Sequence, residues 1–210
     1  MTNKNLAAAD IATVEIHGMS RGAFILRGAM AAGATYGLGA VSPFVGTALA
    51  QGGGDVDIVN FALTLEYLEA EFYTQAVKKA GLSGDIKKLA TELRDNEVEH
   101  VDALAAAAKQ LGGTPAKKPT FAFGGAFGSE DAFLKLANTL EDTGVSAYNG
   151  AGPAIESPEI LGAAGSIVQI EARHAALVRL ARGVEPAPLA FDKTSTVDEV
   201  LAAVKPLIKA

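Results

Sequence analysis

The sequence contains no cysteine, which excludes disulfides, thiolate nucleophiles, zinc ribbons, iron–sulfur clusters and lipid attachment through sulfur. Any metal must therefore be held by oxygen and nitrogen. Basic residues are also in deficit: 18 lysines and arginines face 24 acids, a formal net charge of −6. A chain with that balance lacks the positive field that draws phosphate backbones or anionic membrane surfaces, so nucleic acid is not an expected partner. Aromatic residues make up only 6%, and proline and glycine are gathered in a few places. The alanine and aliphatic content favours helices over a β-sandwich. A length of 210 residues suits one domain with a leader or tail.

Residues 1–50 differ from the rest. Arg21 and Arg27 precede an uncharged run rich in glycine and alanine, which ends at Ala48-Leu49-Ala50 before Gln51 and a glycine triplet. A basic region, an apolar region and an A-x-A site in that order are the grammar of an export signal. The expected location is periplasmic or extracellular. The stretch "SRGAFIL" (Ser20 to Leu26) resembles the twin-arginine export motif, with Gly22 in the place of the second arginine. The run is long enough to span a bilayer, although its Gly, Ser and Pro weaken it as a span. Membrane contact is expected only if this segment stays uncleaved.

From Asp55 onward, punctuation sets out the helices. The first is expected over about 55–80, stopping at Gly81, and Ser83 is expected to cap a second that runs to Gly112-Gly113. Residues 112–128 hold Pro115, Pro119 and five glycines, the composition of a long loop. Ser129, followed by Glu130 and Asp131, starts a third helix reaching about residue 149. Ser157-Pro158-Glu159 supplies an N-cap, a proline at the first helical position and an acid for a fourth, which ends at Gly183. Thr196 with Glu199 makes a capping box for a shorter C-terminal helix. Two short turns and one long middle connection predict an all-α fold. It is a four-helix bundle over 51–183 with a crossover between helices 2 and 3, followed by a tail with a short helix over 184–210.

The bundle has an internal repeat. "FALTLEYLEAEFY" (Phe61 to Tyr73) aligns with "LANTLEDTGVSAY" (Leu136 to Tyr148) at an offset of 75, matching Ala62 with Ala137, Thr64 with Thr139, Leu65 with Leu140, Glu66 with Glu141 and Tyr73 with Tyr148. Glu69 aligns with Gly144 and Glu71 with Ser146, so Glu66 is the acid that the pattern keeps. "EVEH" (Glu97 to His100) recurs as "EARH" (Glu171 to His174) at an offset of 74. The halves read as two copies of one helical hairpin.

Helical phase puts these residues inside. Ile86, Leu89, Leu93, Glu97, His100, Leu104, Ala108 and Leu111 step by three and four, as do Ile160, Ala164, Ile167, Glu171, His174, Leu177 and Ala181. In the first helix Val59, Leu63, Glu66, Ala70, Tyr73 and Val77 share a stripe. Four interior glutamates without compensation would each cost several kcal/mol, so positive charge must sit among them. Two divalent cations balance four carboxylates, and a glutamate and a histidine three residues apart can reach one ion. Glu66, Glu97, His100, Glu141, Glu171 and His174 thus form a two-fold ligand set of the kind that di-iron and di-manganese bundles carry. Hard oxygen donors with one imidazole per ion suit iron or manganese over copper, with zinc as an inert occupant.

With two Glu-x-x-His motifs and two Glu-x6-Tyr partners, residues 55–183 resemble the ferritin-like superfamily, particularly its exported bacterial members related to plant desiccation-related proteins. The resemblance implies ligation by those six residues, with carboxylates bridging two iron or manganese ions. It leaves the activity open among ferroxidases, peroxide reductases, manganese catalases and oxygenases. The leading expectation is an exported redox protein acting on peroxide or dioxygen. The alternatives are a ferroxidase taking ferrous iron within a homo-oligomeric cage, and a stress-protective bundle that uses metal as a staple.

Around this set, Tyr73 and Tyr148 are read either as hydrogen-bond partners of the ligand carboxylates or as plain core aromatics. Glu69, Glu71, Glu92, Asp95 and Glu99 are expected on solvated helix faces, although Glu69 lies one turn from Glu66 and is the candidate for an extra acid near the site. "PTFAFGGAF" (Pro119 to Phe127) is expected to cover the bundle with phenylalanines, unless a loop of that length gates the site or mediates assembly.

Overall fold

The expected helices are present in the computed structural model, which describes residues 54–209. Helix α1 spans Asp55–Lys79, α2 Gly84–Gln110, α3 Glu130–Ala151, α4 Pro158–Ala181 and the short α5 Val197–Val204. One 3-10 turn follows α3 and another follows α5. No strand occurs among the described residues. The export-signal reading of residues 1–50 lies outside the described residues.

Side chains fix where most of these helices begin. Ser129 Oγ accepts from the Ala132 amide at 3.1 Å, and Ser157 Oγ from the Ile160 amide at 3.3 Å. Thr196 and Glu199 satisfy each other's amides as a reciprocal capping box. Ser83 departs from expectation: it precedes α2, but its side chain makes no capping bond. Its amide instead donates to Glu130 Oε2 at 2.6 Å, because the short α1–α2 turn lies beside the start of α3.

The direction of each helix follows from which residues meet. Val59, Leu63, Leu104, Ala108, Tyr148, Ile160 and Ile167 pack at one end, while Leu68, Phe72, Ala90, Leu93, Phe133 and Val178 pack at the other. Early α1 therefore meets late α2 and late α3, so α1 is antiparallel to both, and α2 and α3 run parallel. A parallel pair in sequence requires the connection to travel back along the bundle, which is why the crossover is long. Asn60 pins its beginning: Nδ2 donates to the Thr114 carbonyl at 3.1 Å, and Oδ1 accepts from the Ala116 amide at 2.7 Å.

Farther on, the crossover buries Phe121 and Phe123. The Phe72 ring lies 5.2 Å from Phe123 and 5.4 Å from Phe133, centroid to centroid, so the phenylalanines do cover the bundle. The tail adds a second covering. Ser195 donates its amide to the Ser146 carbonyl at 3.0 Å, and it comes so near Gly150 that a Cβ there would collide with the Ser195 backbone. From that anchor α5 inserts Val200, Leu201 and Val204 into the same apolar cluster as Leu65, Leu68 and Leu140.

One stripe position is corrected. Leu177 is 43% exposed, because Val178, two turns beyond Glu171, is in phase with the buried face and takes the core position.

Phe72 is fully buried and touches rings from α3 and the crossover. Phe72→Ala is expected to cost about 3–5 kcal/mol, read from chemical denaturation with helical circular dichroism as the probe.

Candidate metal centre

Between the two apolar clusters each long helix turns an acid inward. Glu66 on α1, Glu97 on α2, Glu141 on α3 and Glu171 on α4 have no exposed surface. His100 and His174 follow their glutamates by three residues and so share the inward face; they are 9% and 2% exposed. The structure brings all six residues of the repeat into one cluster.

The donor atoms fall into two overlapping sets. Glu66, Glu97, His100 and Glu171 form one, and Glu97, Glu141, Glu171 and His174 the other, with the donor atoms of each set within 4.8 Å of one another. Glu97 faces both imidazoles, with Oε2 at 3.1 Å from His100 Nδ1 and Oε1 at 2.8 Å from His174 Nδ1. Glu171 Oε1 lies 3.1 Å and 4.0 Å from the same two nitrogens. Glu66 Oε2 approaches His100 Nδ1 at 3.2 Å, and Glu141 Oε2 approaches His174 Nδ1 at 3.5 Å. Two carboxylates are thus shared, while each half contributes one further carboxylate and one imidazole.

The residues present fit a pair of cations. Glu171 Oε2 is buried with no hydrogen-bond partner, and Glu97 Oε1, Glu141 Oε2 and Glu171 Oε1 face only the two imidazole nitrogens, so the donors outnumber the protons that could bridge them, a cost that a bound ion removes. Glu66 and His100 would hold one ion, Glu141 and His174 the other, with Glu97 and Glu171 between them.

Without ions the cluster must limit its own charge. Burial pushes the Glu66 carboxyl up to about 8, against the pull of His100. Burial also raises Glu141, and it drives Glu171 well above the carboxylate range with repulsion from Glu97 adding to it. Burial opposes ionisation of Glu97 too, but hydrogen bonds from His100 and His174 outweigh it and bring that group down to about 2. The imidazoles respond in the opposite sense. Burial disfavours their cations, yet hydrogen bonds to Glu171, Glu66 and Glu97 lift His100 to about 12, and bonds to Glu141 and Glu97 lift His174 to about 10. Imidazolium and protonated carboxyl groups thus take the place of cations.

The tyrosines resolve in favour of hydrogen bonding. Tyr73 donates its hydroxyl to Glu141 Oε1, and Tyr148 donates to Glu66 Oε1 at 2.6 Å. Burial, with the neighbouring carboxylates adding to it, holds both phenols well above 10, so they remain donors. Each clamps the unshared carboxylate of the opposite half. Sequence reasoning missed Asn96, whose Nδ2 lies 3.0 Å from His174 Nε2. With the amide turned so that its oxygen accepts from Nε2–H, that contact holds the imidazole with Nδ1 toward the carboxylates. Asn96 corresponds to Ile170 in the repeat, so the pattern that located the acids carried no signal for it.

The solvated-face reading fails for Glu69. It is 2% exposed, and neither oxygen has a hydrogen-bond partner, because α5 closes the groove between α1 and α3 and places Val204 beside it. Glu92, Asp95 and Glu99 are exposed. Glu71 is half-buried and pairs with Lys118 of the crossover.

Fold and cluster together define a ferritin-like helical bundle with buried acid and histidine groups compatible with metal binding. The chain belongs to the ferritin-like domain family, whose sequence model matches residues 54–184, from the start of α1 to just past α4. Comparison with curated proteins finds no match.

Two outcomes are expected. Glu66 is raised from 4.5 to about 8 and His174 from 6.5 to about 10, so both take up protons on folding. Their stabilisation is complete in acid and is lost as pH rises through those values. The melting temperature of the metal-free protein should therefore fall between about pH 5 and pH 9, and divalent metal should flatten that slope while releasing protons into a weakly buffered solution. Asn96→Ala should weaken metal affinity about 10–100-fold, measured by equilibrium dialysis, with helical content unchanged.

Proposed function

We propose that this is an exported redox protein in which Glu66, Glu97, His100, Glu141, Glu171 and His174 hold two iron or manganese ions that act on peroxide or dioxygen. The observation that carries the reading is the burial of four carboxylates and two imidazoles whose donor atoms fall into two overlapping four-residue sets, each within 4.8 Å. Oxygen donors with one imidazole at each position favour iron or manganese. Export is supported by the order of basic, apolar and A-x-A segments in residues 19–50.

Access argues for a small substrate. His100 keeps 9% of its surface in solvent, whereas the four glutamates keep none and His174 keeps 2%. A site whose ligands keep so little surface in solvent suits a molecule the size of peroxide or dioxygen rather than an extended one. What a bound pair of redox-active ions supplies is electron exchange with such an oxidant. The chain's own residues supply the setting. Tyr73 and Tyr148 hold the unshared carboxylates by donated hydrogen bonds, Asn96 fixes the His174 ring, and the apolar clusters on either side exclude water from the interior.

Protein purified from its own host should contain two iron or manganese ions per chain by elemental analysis and should consume peroxide or dioxygen. Glu97→Ala and Glu171→Ala should lose metal and turnover together. A redox metal with no turnover of either oxidant points instead to a structural or stress-protective bundle, and iron stored in large multimers points to a ferroxidase.

A further inference from the structure

The helical pair α1 and α3 is related by a local two-fold axis. Tyr73 of α1 bonds Glu141 of α3, and Tyr148 of α3 bonds Glu66 of α1. The centre of that exchange lies midway between Glu66 and Tyr73 on one helix and between Glu141 and Tyr148 on the other. Glu69 and Gly144, which correspond in the repeat, therefore face each other across the axis. A Cβ built on Gly144 would lie 3.3 and 3.6 Å from the two Glu69 oxygens and 3.1 Å from Glu171 Oε2. Two glutamates there would put two carboxylates in one space, so one position carries the acid and the other gives up its side chain.

We propose that Glu69 is a seventh ligand of the centre, a carboxylate set on the two-fold axis and shared by both ion positions, and that Gly144 is the residue that admits it. The inference rests on the metal reading above and deepens it. Glu69 stands outside both four-residue sets, but it is 2% exposed, neither oxygen has a hydrogen-bond partner, and it lies beside Glu171. Among the described residues no hydrogen bond ties the carboxylate where it stands, so a turn of its own side chain toward Glu171 would break none. Water gives no alternative account of the burial, since the crevice that Glu69 lines with Leu65, Leu68, Leu140, Thr143 and Val204 is walled mostly by apolar side chains.

The test is Co(II) titration of the full chain, with stoichiometry from equilibrium dialysis and coordination from the visible d–d absorption. The wild type should bind two equivalents. Glu69→Gln, which keeps the shape, should weaken binding by at least about tenfold, a loss that even outer partners of metal ligands reach, and should change the absorption envelope. The exchange of sides in E69G/G144E should recover most of the affinity, because the axis makes the two origins equivalent. A Glu69→Gln protein that titrates like wild type overturns the proposal. Loss in Glu69→Gln with no recovery in the exchange overturns the shared position on the axis. A wild type that binds no Co(II) overturns the metal reading itself, so the two failures are distinguishable.

Discussion

An interior that holds five carboxylates between two apolar clusters cannot leave them all ionised. Glu66, Glu69, Glu97, Glu141 and Glu171 are each at most 2% exposed, and their separations are those of groups that repel strongly in a medium of low dielectric constant. Relief comes from protons or from cations. Without ions, protons collect on the imidazoles and on most of the carboxyls, and Glu97 alone among the five is held below its ordinary range. Bound cations would perform the same neutralisation while also satisfying oxygens that the protein leaves unbonded.

The duplicated hairpin makes this crowding geometrically possible. Because α1 and α3 run antiparallel about a common centre, the same Glu-x6-Tyr spacing serves twice. Each tyrosine reaches the glutamate of the other half, and neither half is complete without its partner. Exact repetition breaks where the copies meet. At the axis Glu69 faces Gly144, and at the His174 ring Asn96 has Ile170 as its counterpart. One departure follows from space, since two acids cannot occupy one place. The other makes the environments of the two imidazoles unequal.

The coverings of the bundle bear on the same balance. The phenylalanines of the crossover and the apolar face of α5 seal one end and the α1–α3 groove, which keeps water out of reach of Glu69. Such packing stabilises the bundle while raising the cost of every unpaired charge inside it. The stability of this protein is thereby tied to what its centre holds, as expected where a site rather than the fold determines which residues lie inside.

By itself the sequence determined the helices, their starts at Ser129, Ser157 and Thr196, and the six residues that converge, because caps, breakers and a 3.6-residue period are local properties that a repeat makes visible. It also showed that the crossover had to be long, through its glycines and prolines. Tertiary structure decided what depends on contact between distant segments. Glu69 became interior because α5 lies over it, Leu177 faced outward because Val178 held the core position, and Ser83 gave its amide to Glu130 in place of capping with its hydroxyl. Asn96 gained its role because two helices bring it to a histidine 78 residues away. Periodicity records which side of one helix is apolar, whereas burial and pairing are set by what another part of the chain places against it.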